Sequence, residues 1–139
     1  MTTEHERADR QDIADVLIRY ASGIDRRDWD LFRTCFTDDV DADYGDIGHW
    51  RSVDEVMAFM IPTHADVGHT MHQLSNVAVT VDGDTASATA YVDAVLMSTD
   101  GTAGVRALGF YDDELVRTAE GWRIARRRFT TVHVGAIGG

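Results

Sequence analysis

Apolar positions in the first part of the chain recur with a helical beat. Ile13, Val16, Leu17, Tyr20, Ala21 and Ile24 fall at i, i+3, i+4, i+7 spacing, which marks one buried helix face. Thr3-x-x-Glu6 reads as a capping box opening this helix, which is expected to run to about Ile24. Asp28 can cap a short second helix carrying Trp29, Phe32, Cys35 and Phe36. Residues 40–44, Val-Asp-Ala-Asp-Tyr, alternate apolar and acidic, as a strand with one face in solvent does. Ser52-x-x-Glu55 is a second capping box, for a helix with Val53, Val56, Met57 and Met60 on one face. Pro62, the only proline, is expected to close it.

The period then changes. Residues 69–81, 85–98, 105–117 and 122–134 read as four long strands, separated by Asp82-Gly83-Asp84, Asp100-Gly101-Thr102 and Ala119-Glu120-Gly121. Helices first and a strand meander second predict the α+β class: N-terminal helices packed on one face of a curved antiparallel sheet. Strands of this length twist and curl, and a curled sheet with a helix across it forms a cone with an inner pocket. Residues 1–139 are expected to form one domain.

Composition narrows the chemistry. The net charge is −11, so a nucleic-acid role is disfavoured by repulsion from phosphate. All 13 basic residues are arginine, which excludes a Schiff-base lysine and a P-loop lysine. No apolar run approaches the roughly 20 residues of a membrane span. Residues 1–7 are polar and mixed in charge, unlike a signal peptide. Cys35 stands alone, and a reducing, cytoplasmic setting is the default, with the thiol as a small core filler. His64, His69 and His72 match no compact metal motif, and neither metal nor cofactor is expected.

One acid stands where an acid is not comfortable. Asp25 ends the first helix on the edge of its apolar face, where the helix dipole disfavours a negative charge. A partly buried carboxylate needs a donor, and His72, in a strand some fifty residues on, can supply it. An acid that orients a histidine is half of a proton-transfer device. Tyr20 and Tyr44 are candidate hydrogen-bond donors to a ligand, or amphipathic core residues. Asp93 interrupts an apolar run and is either inward and functional or on the solvent face of a one-sided strand; alternation groups it with Tyr91, Val95 and Met97, which favours the inward reading. Arg127 goes to one face of the last strand, and Arg126 and Arg128 to the other. An inward arginine can stabilise an enolate or a leaving group. Trp50, Met57, Phe59 and Met60 are candidate core or pocket lining.

The order of elements, with Tyr20-x4-Asp25-x3-Trp29, Thr70-Met71-His72 and Glu120-Gly121-Trp122-Arg123-Ile124, resembles the SnoaL-like branch of the nuclear-transport-factor-2-like superfamily from about Asp12 to Val134. That family includes dehydratases, a dehydrochlorinase and polyketide cyclases. The resemblance implies that Asp25 orients His72 as the catalytic base. It implies that Tyr20 and Tyr44 contact substrate and that Asp93 and Arg127 assist. Ser98, Gly109 and Tyr111 depart from scytalone dehydratase, which argues against scytalone as substrate. The expected activity is that of a cofactor-independent lyase or isomerase, of dehydratase or cyclase type, on a small hydrophobic carbonyl compound. Dehydration, double-bond shift and cyclisation share the first proton transfer, so the residues leave the reaction open. The alternatives are a binding protein without turnover and an interaction subunit of the same fold. A homodimer or homotrimer is expected, because such sheets leave one face open.

Overall fold

The structure, a computed structural model, describes residues 3–139; Met1 and Thr2 lie outside the described residues. Helix α1 (Glu4–Asp25) opens with the anticipated capping box: Thr3 Oγ1 accepts from the Glu6 N–H, and the Glu6 carboxylate accepts from the Thr3 N–H. Helix α2 (Trp29–Arg33) is capped by Asp28, whose carboxylate accepts from the Leu31 N–H. Gly23 lets the two helices meet, since a Cβ there would lie 3.0 Å from Phe32 Cα.

The second helix is shorter than its apolar pattern suggests. Cys35 and Phe36 leave it, and strand β1 (Phe36–Asp43) starts at Phe36 rather than at Val40. The reason is pairing: the Ile124 N–H donates to the Cys35 carbonyl at 2.7 Å, and Phe36 lies beside Ile124. Cys35 is fully buried, and burial pushes its thiol up to about 12, so it is an inert core filler.

A 3-10 turn (Gly45–Ile47) and strand β2 (His49–Trp50) lead to helix α3 (Val53–Ala65). Two expectations for α3 need correction. The Glu55 carboxylate accepts from the Arg51 N–H, one residue earlier than a capping box would have it. Pro62 also does not close the helix, which runs on to Ala65. Only three residues follow the proline, and the turn around it is stitched by side chains. Thr63 Oγ1 donates to the Phe59 carbonyl at 2.6 Å, and His64 Nδ1 to that of Met60 at 2.7 Å.

Strands β3 (Thr70–Asp82), β4 (Thr85–Met97), β5 (Ala103–Thr118) and β6 (Gly121–Gly138) form the antiparallel meander. The six-stranded sheet has the order β2-β1-β6-β5-β4-β3, with β1 parallel to β6. Register shifts interrupt β3 between Ser75 and Ala78 and the β5–β6 pair at two places. Each adds a local bend and twist, which curls the sheet. Its inner face carries small residues on β4, namely Ala86, Ala88, Ala90, Val92 and Ala94, all buried. Large side chains from the helices, Ile13, Leu17, Tyr20, Ile24 and Phe32, fill the concavity, so large packs over small. The helix α1 ends at Asp25 while the strands continue. The space beyond is roofed by α3 and left partly open.

Candidate functional site

The last residue of α1 is the anchor of the site. Asp25 Oδ1 accepts from Thr70 Oγ1 at 2.9 Å and from His72 Nδ1 at 2.8 Å, while Oδ2 accepts from the His72 backbone N–H at 2.8 Å. Strand alternation puts Thr70 and His72 on one face of β3, both toward the helix end. Burial pushes the Asp25 carboxyl up. The hydrogen bonds from the His72 ring and backbone and from Thr70 outweigh it and hold the carboxyl below 3.8. Because Nδ1 faces a carboxylate it carries the proton, so a neutral His72 has its lone pair on Nε2. That nitrogen has no hydrogen-bond partner and opens into a cavity of about 350 Å³.

The network continues to a residue that nothing in the sequence singles out. Arg27 adopts φ +55°, a left-handed conformation unusual for a side chain of this size. Its guanidinium spans from helix to strand: Nη1 donates to the Ile24 carbonyl at 2.8 Å and to Thr70 Oγ1 at 2.9 Å, and Nη2 to the Gly68 carbonyl at 2.6 Å. Gly68 can come this close because it has no side chain; a Cβ there would fall 2.3 Å from the Ser98 carbonyl oxygen. Thr70 thus accepts from Arg27 and donates to Asp25, so the strap orients the acid through one hydroxyl. The strained backbone and the clamp separate by substitution. Arg27→Ala should lose stability through both, whereas Arg27→Gly relieves the backbone and should be more stable than Arg27→Ala by ~1 kcal/mol. Urea denaturation of the two variants checks this, and equal stabilities would mean that position 27 stores no strain.

The cavity wall is almost wholly apolar. Ile24, Phe59, Met60, Val92, Ala94, Leu96, Ala107 and Phe129 supply most of it, with Tyr20, Tyr44, Tyr111, Thr63, His64 and His72 as the polar exceptions. The hydroxyls of Tyr20 and Tyr44 lie 2.5 Å apart in a hydrogen bond. Burial pushes both phenols, and Tyr111, above their ordinary range, so all three stay protonated, and one hydrogen of the Tyr20–Tyr44 pair is spent on the bond between them. Behind them lies Arg127, fully buried and held by Asp113: Nε donates to Oδ1 at 2.7 Å and Nη2 to Oδ2 at 2.8 Å. The guanidinium is stacked 4.1 Å from the Tyr20 ring and 3.9 Å from the Tyr111 ring. Burial disfavours its charge, but the adjacent Asp113 carboxylate more than compensates.

The structure therefore brings together His72, Asp25, Tyr20, Tyr44 and Phe59 at one end of the cone. Trp50 forms a second layer, its ring 4.6 Å from Phe59 and 5.3 Å from Tyr44. Met57 packs against the core without lining the cavity. Arg127 is the inward one of the three arginines but stands behind the tyrosines, not on the cavity surface. It is inward because the irregularity between Arg126 and Ile124 resets the alternation begun by Trp122 and Ile124. Asp93 is a correction. It lies on the outer face in a bidentate pair with Arg106 at 3.0 and 2.7 Å. Its neighbours Val92 and Ala94 are the buried ones, so Tyr91, Asp93 and Val95 form the outward set. His64, Arg27, Tyr111 and Asp113 were missed as site residues. His64 had a signal: it follows Met60 by four on the buried face of α3. Among the described residues no group of three or more metal-ligating side chains occurs, and no helix is long and apolar enough to cross a membrane.

Comparison with known proteins agrees with this architecture. Residues 5–128 match the SnoaL-like domain. The chain is 34% identical to the uncharacterized protein Rv2910c of Mycobacterium tuberculosis over 135 residues, 91% of this chain and 88% of that one. A crystal structure of a proposed aromatic ring hydroxylase from Novosphingobium aromaticivorans superposes with a TM-score of 0.85 at 32% identity, covering 94% of each chain. The hexachlorocyclohexane dehydrochlorinase LinA-type3 of Novosphingobium barchaimii shares the fold, with a TM-score of 0.79 at 16% identity over 97% of this chain and 92% of that one. With its cone of helices on a curved sheet and a domain match across most of its length, the chain belongs to the SnoaL-like family, within the nuclear-transport-factor-2-like fold.

Proposed function

We propose that the protein is a cofactor-independent lyase or isomerase of dehydratase or cyclase type, acting on a small hydrophobic carbonyl compound. The reading rests on one observation: the Asp25–His72 pair presents an unpartnered Nε2 to an apolar cavity. His72 Nε2 takes a proton from the carbon next to the carbonyl. Asp25 keeps the proton of Nδ1 in place and stabilises the imidazolium that forms. One of the Tyr20 and Tyr44 hydroxyls donates to the other, and the second donates to the carbonyl or to the departing oxygen, where negative charge grows. A proposed dehydratase of Streptomyces avermitilis and the dehydrochlorinase, which share the fold, support this reaction class. Arg127 acts only through the tyrosines it stacks on, and Asp93, on the outer face, has no part in the reaction.

The test does not need the natural substrate. Enolisation alone exchanges the α-hydrogens of a cyclic ketone for deuterium, and 2-tetralone in D2O reports it by proton NMR. Wild-type protein should accelerate exchange over buffer, and His72→Ala should lose ~10²- to 10⁴-fold of that acceleration. Ligand-induced shifts without exchange would identify a binding protein instead. A homo-oligomer is also proposed. The outer sheet face exposes Met71, Tyr91 and Phe110 around the Asp93–Arg106 pair, an apolar surface suited to a second copy.

A further inference from the structure

A second histidine borders the cavity and has no role in the reaction above. His64 is 6% exposed and lines both the cavity and the cleft outside it that holds Asp25, Arg27 and Trp29. Its Nδ1 lies 2.7 Å from the Met60 carbonyl oxygen. A carbonyl can only accept, so Nδ1 carries the proton. Nε2 makes no hydrogen bond and keeps some accessible surface, on a ring that lines the cavity. The position near the end of α3 would favour a cation. Burial, aided by the nearby Arg27 and His72, outweighs that and the pull of the Met60 carbonyl and of Asp25. The ring is therefore held neutral, with its lone pair on Nε2.

An unpaired acceptor in an apolar wall costs free energy unless the ligand satisfies it. Thr63 Oγ1 is spent on the Phe59 carbonyl, so the polar groups left for a ligand are two imidazole lone pairs, on His64 and His72, and the tyrosine hydroxyls. His72 is occupied with the C–H that it attacks and the tyrosines with the carbonyl. We propose that His64 is a specificity-determining residue, whose Nε2 accepts a hydrogen bond from a hydroxyl carried by the substrate away from the reacting carbon. The inference rests on the proposed function and narrows its substrate class from a hydrophobic ketone to a hydroxylated one. A site that hydrogen-bonds a hydroxyl discriminates against the analogue that lacks it.

Binding, rather than turnover, tests this. The probes are the 5-, 6- and 7-hydroxy-2-tetralones, each paired with its methyl ether, titrated by NMR against 15N-labelled protein. At least one hydroxy isomer should bind wild type roughly five- to tenfold more tightly than its ether, the worth of one net hydrogen bond. His64→Phe, which keeps the ring and removes the lone pair, should abolish that preference. His72→Phe should keep the preference while losing α-hydrogen exchange, so the two proposals fail separately. In wild type, the His64 Nε2 resonance should move on addition of the preferred hydroxy ligand and stay in place with its ether, a result that does not depend on any variant folding. The absence of a hydroxyl preference for every isomer, its persistence in His64→Phe, or an unmoved Nε2 resonance would each overturn the assignment.

Discussion

Asp113→Ala should be among the most destabilising single substitutions in the chain, at ~3–5 kcal/mol in urea denaturation at neutral pH. Both partners of the Asp113–Arg127 pair are fully buried, and the carboxylate takes two of the guanidinium's donors. A third group, Nη1, makes no hydrogen bond even with Asp113 present. Removing Asp113 leaves a cation between two aromatic rings with no counter-charge, and a cation–π contact of ~2 kcal/mol does not offset that. The penalty belongs to the orphaned charge and not to the loss of a favourable pair. The double variant Asp113→Leu/Arg127→Met should therefore recover most of the stability. Equal losses in single and double variants would sink this account. The double variant should nevertheless exchange α-hydrogens more slowly than wild type, because Tyr20 and Tyr111 lose the planar group they stack on.

Legibility in the sequence follows the physics that made each feature. The buried stripe of α1 and the four strands are periodic, and periodicity is written in consecutive residues, so both were readable to within a few positions. The parallel pairing of β1 with β6 joins segments some ninety residues apart, and no local pattern announces it. Asp93 shows the limit of alternation. The two faces of β4 are distinguished by alanine against tyrosine, and larger side chains suggested the inward set, whereas the concave face needed small residues under bulky helices. Asp25 was legible because an acid at a helix C-terminus contradicts the dipole, and such contradictions gather at functional sites. Arg27 was not legible. Its place in the network depends on a left-handed backbone turn and on the approach of Gly68 to Ser98, and neither leaves a trace in residue type.

Asp25→Ala and His72→Ala should have similar effects on proton exchange and different effects on stability. Either one disables the pair: His72→Ala removes the base, and Asp25→Ala frees the ring to place its proton on either nitrogen. Each should lose ~10²-fold or more. For stability, the asymmetry lies in the hydrogen bonds. With alanine at position 72, Asp25 keeps the backbone N–H of that residue and Thr70 Oγ1, so one charge-assisted bond is lost, at ~1–2 kcal/mol. With alanine at position 25, three donors lose their acceptor at once, and the cost should approach ~3 kcal/mol even after relief of the helix dipole. The stability lost in Asp25→Ala also carries a pH signature. The folded-state carboxyl is held below 3.8, so its contribution is fully present above the unfolded value and is lost as pH falls through the folded one. The gap between wild type and Asp25→Ala should shrink as pH falls below about pH 4. Denaturation curves at several pH values below about pH 5 decide it: a gap that widens below about pH 4 would mean that Asp25 is held protonated in the fold, which would remove the anion that the proposed proton transfer requires.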